Sequence, residues 1–490
     1  MVENQPLHLS SSRHYASRIT HHVPFHNSFT SLLPISDKSV SPPNHIGGVK
    51  TILLSLGLAA GCVSQLFAGE TLRLKLEPDR DVVLKGSPQE VVVKIDLSAI
   101  ADKKKARRTP LNLAVVLDRS GSMTGAKLEK TKQAAMQLVD RLELNDVFSL
   151  VVFSDHARVL VPAQKAVDKE ALKEKIEGID ANGSTALYAG VRMGAEQIQE
   201  YISTKRINRV ILLSDGLANV GPSSPRELRR LGSDLAERGI AVTTIGVGED
   251  YNEDLMAGLA EASDANYYYV QDTEKLPKIF ARELGELLTV CAREVRIEIT
   301  CPEGVKPIGF IGRDERFEDQ KATVKLNQFT LGQDRYLFLR CLAKEAQPEI
   351  ARVKVTYTDE LNDGAAQTAG GSVRINFTDD HAAADNSWRP AIVAEKELFL
   401  TGVAKDAALA DADAGNYAAA AARLAQQADG LDAQWRNAPA SVQVQIKQES
   451  ANLRNRSQQL QKGQYDSATR KTMQWESYNS RNSKDNANAP

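Results

Sequence analysis

One carboxylate and two hydroxyls stand at alternating positions in a single tight loop. They are Asp118, Ser120 and Ser122, in the stretch LNLAVVLDRSGSM. Their oxygens are hard ligands, and three on one turn suit a small hard cation such as Mg2+. Gly121 lets the chain turn sharply between them. Two later stretches offer the same donors. NGSTALYAG puts Thr185 on a glycine-containing loop before a helix, and VILLSDG ends in Ser214, Asp215 and Gly216.

Such residues meet only if a frame brings three loops together. Residues 111–117 are apolar almost throughout and do not alternate, which predicts a strand buried on both faces. Residues 210–213 predict a second one. Open α/β sheets bind ligands outside the carboxyl ends of their strands, where both loops would lie. The plainer reading is that Asp118 and Ser120 cap the following helix and Asp215 starts a turn. Three loops matching in order favour the site.

Asp118, Ser120, Ser122, Thr185 and Asp215, in that order, resemble the metal-ion-dependent adhesion site of von Willebrand factor type A (VWA) domains. The DxSxS core, the later Thr and the later Asp are all present, and the resemblance covers residues 109–290. Ala186 departs from it, standing where some relatives carry Asp. The resemblance implies that Ser120, Ser122 and Thr185 contact the metal while Asp118 and Asp215 act largely through water. It implies Mg2+, with Mn2+ or Ca2+ as alternatives. It also implies one open coordination position, filled by an Asp or Glu carboxylate of a protein partner. The expected function is therefore protein binding, as an adhesion or scaffold protein. An accessory subunit of a membrane complex is the alternative, and a metal-dependent hydrolase a weaker one.

Other chemistry has little to stand on. After residue 46 only His156 and His381 remain, and no HExxH, GxSxG or phosphate-loop motif occurs. No enzyme is expected. The formal net charge is −2, and no basic face is interleaved with aromatics, so nucleic acid is not an expected partner. The run Lys103, Lys104, Lys105, Arg107, Arg108 reads as a solvated linker.

The 490 residues suggest two to four domains. From 109 to 290 strands and helices alternate, which predicts a doubly wound, mostly parallel six-stranded sheet of the VWA kind. Its short strand 158–161 belongs at an antiparallel edge, and its last helix spans 276–290. Residues 69–108 hold strands at 71–76 and 91–97. Residues 291–378 hold strands at 295–299, 322–326, 336–342, 351–357 and 372–377. Two or three strands cannot bury a face alone, so both flanks are expected to form one β-sandwich with the VWA unit inserted. Integrin β-subunits have a similar insertion. In integrin relatives the final helix slides as the metal loops rearrange. Here that helix leads into the β-domain, and coupling and a rigid domain both stay open. Residues 379–387 read as a polar linker. Residues 388–479 read as a helical region, with helices at 392–410, 417–431 and 442–462 and a segment at 465–478 that docks as a short helix, partner binding being the less favoured alternative. Residues 480–490 read as a disordered tail.

Residues 1–48 hold six of the eight histidines amid Ser and Pro. They read as disordered, or as lying upstream of the true start, since a valine codon at 49 can initiate in bacteria. Residues 49–68 have the shape of a signal peptide. Their apolar core is too short for a bilayer of about 30 Å, which takes about 20 residues. Cleavage after Ala68 would release a soluble periplasmic or cell-surface protein. Lipidation at Cys62 would instead anchor it, and a membrane is expected only by that route or through a partner complex. Of the other cysteines, Cys291, Cys301 and Cys341, the last two form a plausible bridge; buried free thiols are the equal alternative.

Overall fold

The computed structural model describes residues 71–100, 108–344 and 347–483. The leader 1–48, the signal-like segment 49–68 with Cys62, and Lys103, Lys104, Lys105 and Arg107 of the basic run lie outside them.

The first strands are β1 (Leu72–Pro78), β2 (Val82–Leu84) and β3 (Gln89–Ala99). Then come β4 (Leu111–Asp118), α1 (Ala126–Asp140), β5 (Val147–Phe153), β6 (Ala157–Lys165), α2 (Lys169–Glu177) and α3 (Leu187–Glu200). The α/β unit continues with β7 (Ile207–Ser214), α4 (Pro225–Glu237), β8 (Ala241–Val247), α5 (Glu253–Ala262), β9 (Tyr267–Val270) and α6 (Leu276–Leu287). Its six strands lie in the order β6-β5-β4-β7-β8-β9, and only β6 runs antiparallel. Helices cover both faces, so β4, β5 and β8 are buried at every residue. That is why these strands read as mostly apolar runs that do not alternate.

The last helix stops at Leu287, short of 290, because Val290 already pairs with Thr330. The chain continues as β10 (Val290–Thr300), β11 (Val305–Phe310), β12 (Lys321–Thr330), β13 (Asp334–Ala343), β14 (Glu349–Asp359), β15 (Ala365–Arg374) and β16 (Asn376–Thr378). Two four-stranded sheets result, β1-β3-β13-β11 and β12-β10-β14-β15. One core joins them: Leu74 and Val93 from before the α/β unit pack with Ile297 and Val353 from after it. The strand expected at 372–377 is split. β15 ends at Arg374, and β16 pairs in parallel with β2.

The segment expected as a linker at 379–387 contains α7 (His381–Asp385), which forms because the Asp380 carboxylate accepts from the N–H groups of Ala382 and Ala383. Four helices follow: α8 (Pro390–Asp413), α9 (Tyr417–Trp435), α10 (Ala440–Gln461) and α11 (Ser467–Arg481). Phe399 of α8 packs its ring 5.4 Å from that of Phe338 on β13. α11 docks on the α/β unit. Its Lys471 ammonium donates to Tyr251 O at 2.8 Å and to Glu253 at 2.6 Å, and its Tyr478 ring meets Tyr267 edge-on. Ser480 and Arg481, expected in a disordered tail, belong to this helix, because the Arg481 guanidinium pairs with Glu261 and Asp406. Residues 484–490 lie outside the described ones. Among the described residues, no helix is long and apolar enough to cross a membrane.

Cys301 and Cys341 are buried with their sulfurs 3.7 Å apart, one following β10 and the other in β13 of the facing sheet. Treatment with glutathione disulfide should convert the two thiols to one disulfide, with reduced glutathione as the other product. Peptide mapping should then recover 301 and 341 linked, with stability raised by about 2–4 kcal/mol. Recovery of both as thiols would contradict this.

Candidate metal centre

Register brings the predicted loops together. β4 lies beside β7 with Leu117 opposite Leu213, so Asp118 and Ser214 end neighbouring strands at one edge. The Asp118 carboxylate is fully buried. It accepts from Ser214 Oγ at 2.5 Å and from the Ser120 N–H at 2.8 Å, tying the two strand ends to the first turn of the loop. Burial pushes the Asp118 carboxyl up to about 6, despite those hydrogen bonds, and the neighbouring Asp215 charge adds to the rise.

The second loop is laced to the first. Gly121 N–H donates to Gly183 O at 3.0 Å, and Asn182 N–H to Arg119 O at 2.7 Å. Thr185 is held by its own N–H, which donates to Asn219 Oδ1 at 2.9 Å, while Ala186 N–H donates to Ser154 O. The helix behind it sits unusually close to the sheet. A methyl on Gly194 would stand 2.5 Å from a Val116 methyl. Small residues on α3 therefore set how deep Thr185 lies.

All five predicted residues converge. Ser122 Oγ donates to Asp215 Oδ1 at 2.7 Å and lies 3.1 Å from Ser120 Oγ. A Cβ added to Gly216 would lie 3.0 Å from Thr185 Oγ1, 3.4 Å from Ser122 Oγ and 3.8 Å from Ser120 Oγ. Three hydroxyls thus surround one small space. Two buried carboxylates support it, and Ser122 opens it to solvent. The donor set is all oxygen, with three hydroxyls backed by two buried carboxylates, which fits a hard divalent cation.

The sequence reading missed Lys127 and Asn219, and it named Ser214 without giving it a role. Ser214 and Asn219 act as positioning residues. Lys127, in the first turn of α1, donates to Asp215 Oδ2 at 2.5 Å. A lysine at a helix N-terminus opposes the helix dipole, which is the one local sign it gave. His156 lies on an exposed turn after β5.

Residues 112–282 match the family model of the von Willebrand factor type A domain. This segment is a VWA domain. Its curated relatives include the uncharacterized protein sll0103 of Synechocystis, 29% identical over 54% of this chain and 66% of that one. The uncharacterized protein YfbK of Escherichia coli is 29% identical over 46% of this chain and 40% of its own length. The chain therefore spans only part of each. Human inter-alpha-trypsin inhibitor heavy chain H4 is 29% identical over 31% of this chain and 17% of that protein. Among solved structures, a VWA protein from Catenulispora acidiphila covers 78% of this chain and 91% of its own at a TM-score of 0.63 and 18% identity. The ArnB paralog VWA2 from Sulfolobus acidocaldarius covers 81% and 100% at 0.54 and 16% identity. These likenesses extend past the VWA domain and concern the fold alone.

Proposed function

We propose that this protein binds a partner protein outside the cytoplasm through a divalent cation held by its VWA domain. The observation that carries the reading is the convergence of Ser120, Ser122 and Thr185 around one small space above Asp118 and Asp215. Mg2+ is the first choice, with Mn2+ or Ca2+ as substitutes. When bound, such an ion supplies positive charge at an open position and attracts a carboxylate. The chain's own residues do the rest. Asp118 orients Ser120 through its backbone, Asp215 orients Ser122, and Asn219 fixes the backbone that carries Thr185. Neutral hydroxyls nearest the space leave the charge of an ion largely uncancelled. Asp or Glu on the partner is the matching group. Domains of this kind often mediate protein–protein contact or adhesion, which supports binding over catalysis. Export is part of the proposal and rests on the signal-like segment 49–68.

Affinity capture from an envelope extract tests this. The immobilised full chain should retain a partner in Mg2+, release it in EDTA, and fail to retain it as Asp118→Ala. A partner held equally in all three conditions would rule out a metal bridge.

A further inference from the structure

The metal reading leaves one strongly placed group unused. Lys127 reaches from the first turn of α1 to Asp215, 88 residues away in the chain. Its side chain is 27% exposed, whereas Asp215 is fully buried. Two opposed costs accompany that placement. A cation at a helix N-terminus meets the positive end of the dipole. A cation beside a cation site repels the ion that the site is built to hold. A residue that offered only packing would not need a charge here.

We propose that Lys127 sets the charge of the site, lowering its hold on the cation and raising its demand for an anionic ligand. The inference rests on the reading of the site as a cation-binding cup. Asp118 and Asp215 bring two negative charges and Lys127 one positive, so the three side chains sum to minus one. Adding a divalent cation makes the sum plus one. Without the lysine the same sums are minus two and zero. Lys127 therefore turns a loaded site that would be neutral into one with an unmet positive charge. Its ammonium takes one oxygen of Asp215 while Ser122 takes the other, which keeps two buried carboxylates from facing each other bare. The ligand chemistry that this selects is a carboxylate, and a neutral hydroxyl or amide ligand would gain nothing from it.

Calorimetric titration of the full chain with Mn2+, with and without excess acetate as a carboxylate probe, tests the role. Lys127→Gln should bind Mn2+ more tightly than wild type, by about tenfold or more. Lys127→Arg keeps the charge and should stay at the wild-type affinity. Acetate, after correction for its own complex with Mn2+, should tighten Mn2+ binding by wild type and Lys127→Arg but not by Lys127→Gln. Equal or weaker Mn2+ binding by Lys127→Gln would overturn the lysine's role and leave the cup standing. Uptake by none of the three proteins would overturn the cup, and the lysine's role with it.

Discussion

Replacing Glu283 with alanine is expected to destabilise the VWA domain by about 3–5 kcal/mol, the usual loss when one partner of a buried charge pair is removed. Glu283 sits on α6 and is fully buried. It accepts from Thr243 Oγ1, from Asn266 Nδ2 at 2.7 Å and from Tyr268 OH at 3.1 Å. The Arg209 guanidinium lies 3.9 Å away with 2% of its side chain exposed. Alanine would leave that charge unmatched and strip an acceptor from three neighbours. A drop of this size in urea stability, at unchanged slope, is the expected result; a loss under about 1 kcal/mol would contradict the role given to the network. Converting both partners, Glu283→Leu with Arg209→Met, should recover most of the loss. The network also bears on motion. Sliding of α6 along the sheet would have to break these contacts to β7, β8 and β9.

At the site itself, Asp118→Ala should abolish measurable uptake of divalent cations, and Gly216→Ala should weaken it by about 10–100-fold. The first removes the carboxylate that aligns Ser120 and bridges to Ser214. The second removes nothing. It adds a methyl 3.0 Å from Thr185 Oγ1 and 3.4 Å from Ser122 Oγ, filling the space that the hydroxyls surround. Titration of both variants with Mn2+, alongside circular dichroism, separates lost binding from lost fold. Full affinity in Gly216→Ala would place any bound ion somewhere other than among these hydroxyls.

The site was legible because its donors sit in three short motifs, each behind an apolar run that the sheet buries. Two of its helpers were not legible. Lys127 and Asn219 act across 88 and 34 residues of chain, and only the strand order brings them in. The VWA sheet was legible for the same reason that its strands are buried on both faces. The flanking β-domain was less so. β11 contains Pro307 and Gly309, with a register shift between them, and such residues argue against a strand unless it lies at an edge, as this one does. β15 reads AAQTAGGSVR, a composition that its pairing with β14 overrides. The docking of α11 was legible in Met473, Trp475 and Tyr478, which are buried, but the ionic part of its docking face was not. Arg470, Lys471 and Arg481 look like solvated residues until Glu253, Asp254 and Glu261 stand opposite them.

The most direct test is equilibrium dialysis of the full chain against Mn2+, for wild type and Asp118→Ala, with both shown to be folded. One ion per wild-type chain and none per variant chain is the predicted result. Equal uptake by the two proteins, or none by the wild type, would contradict the claim that these five side chains hold a cation.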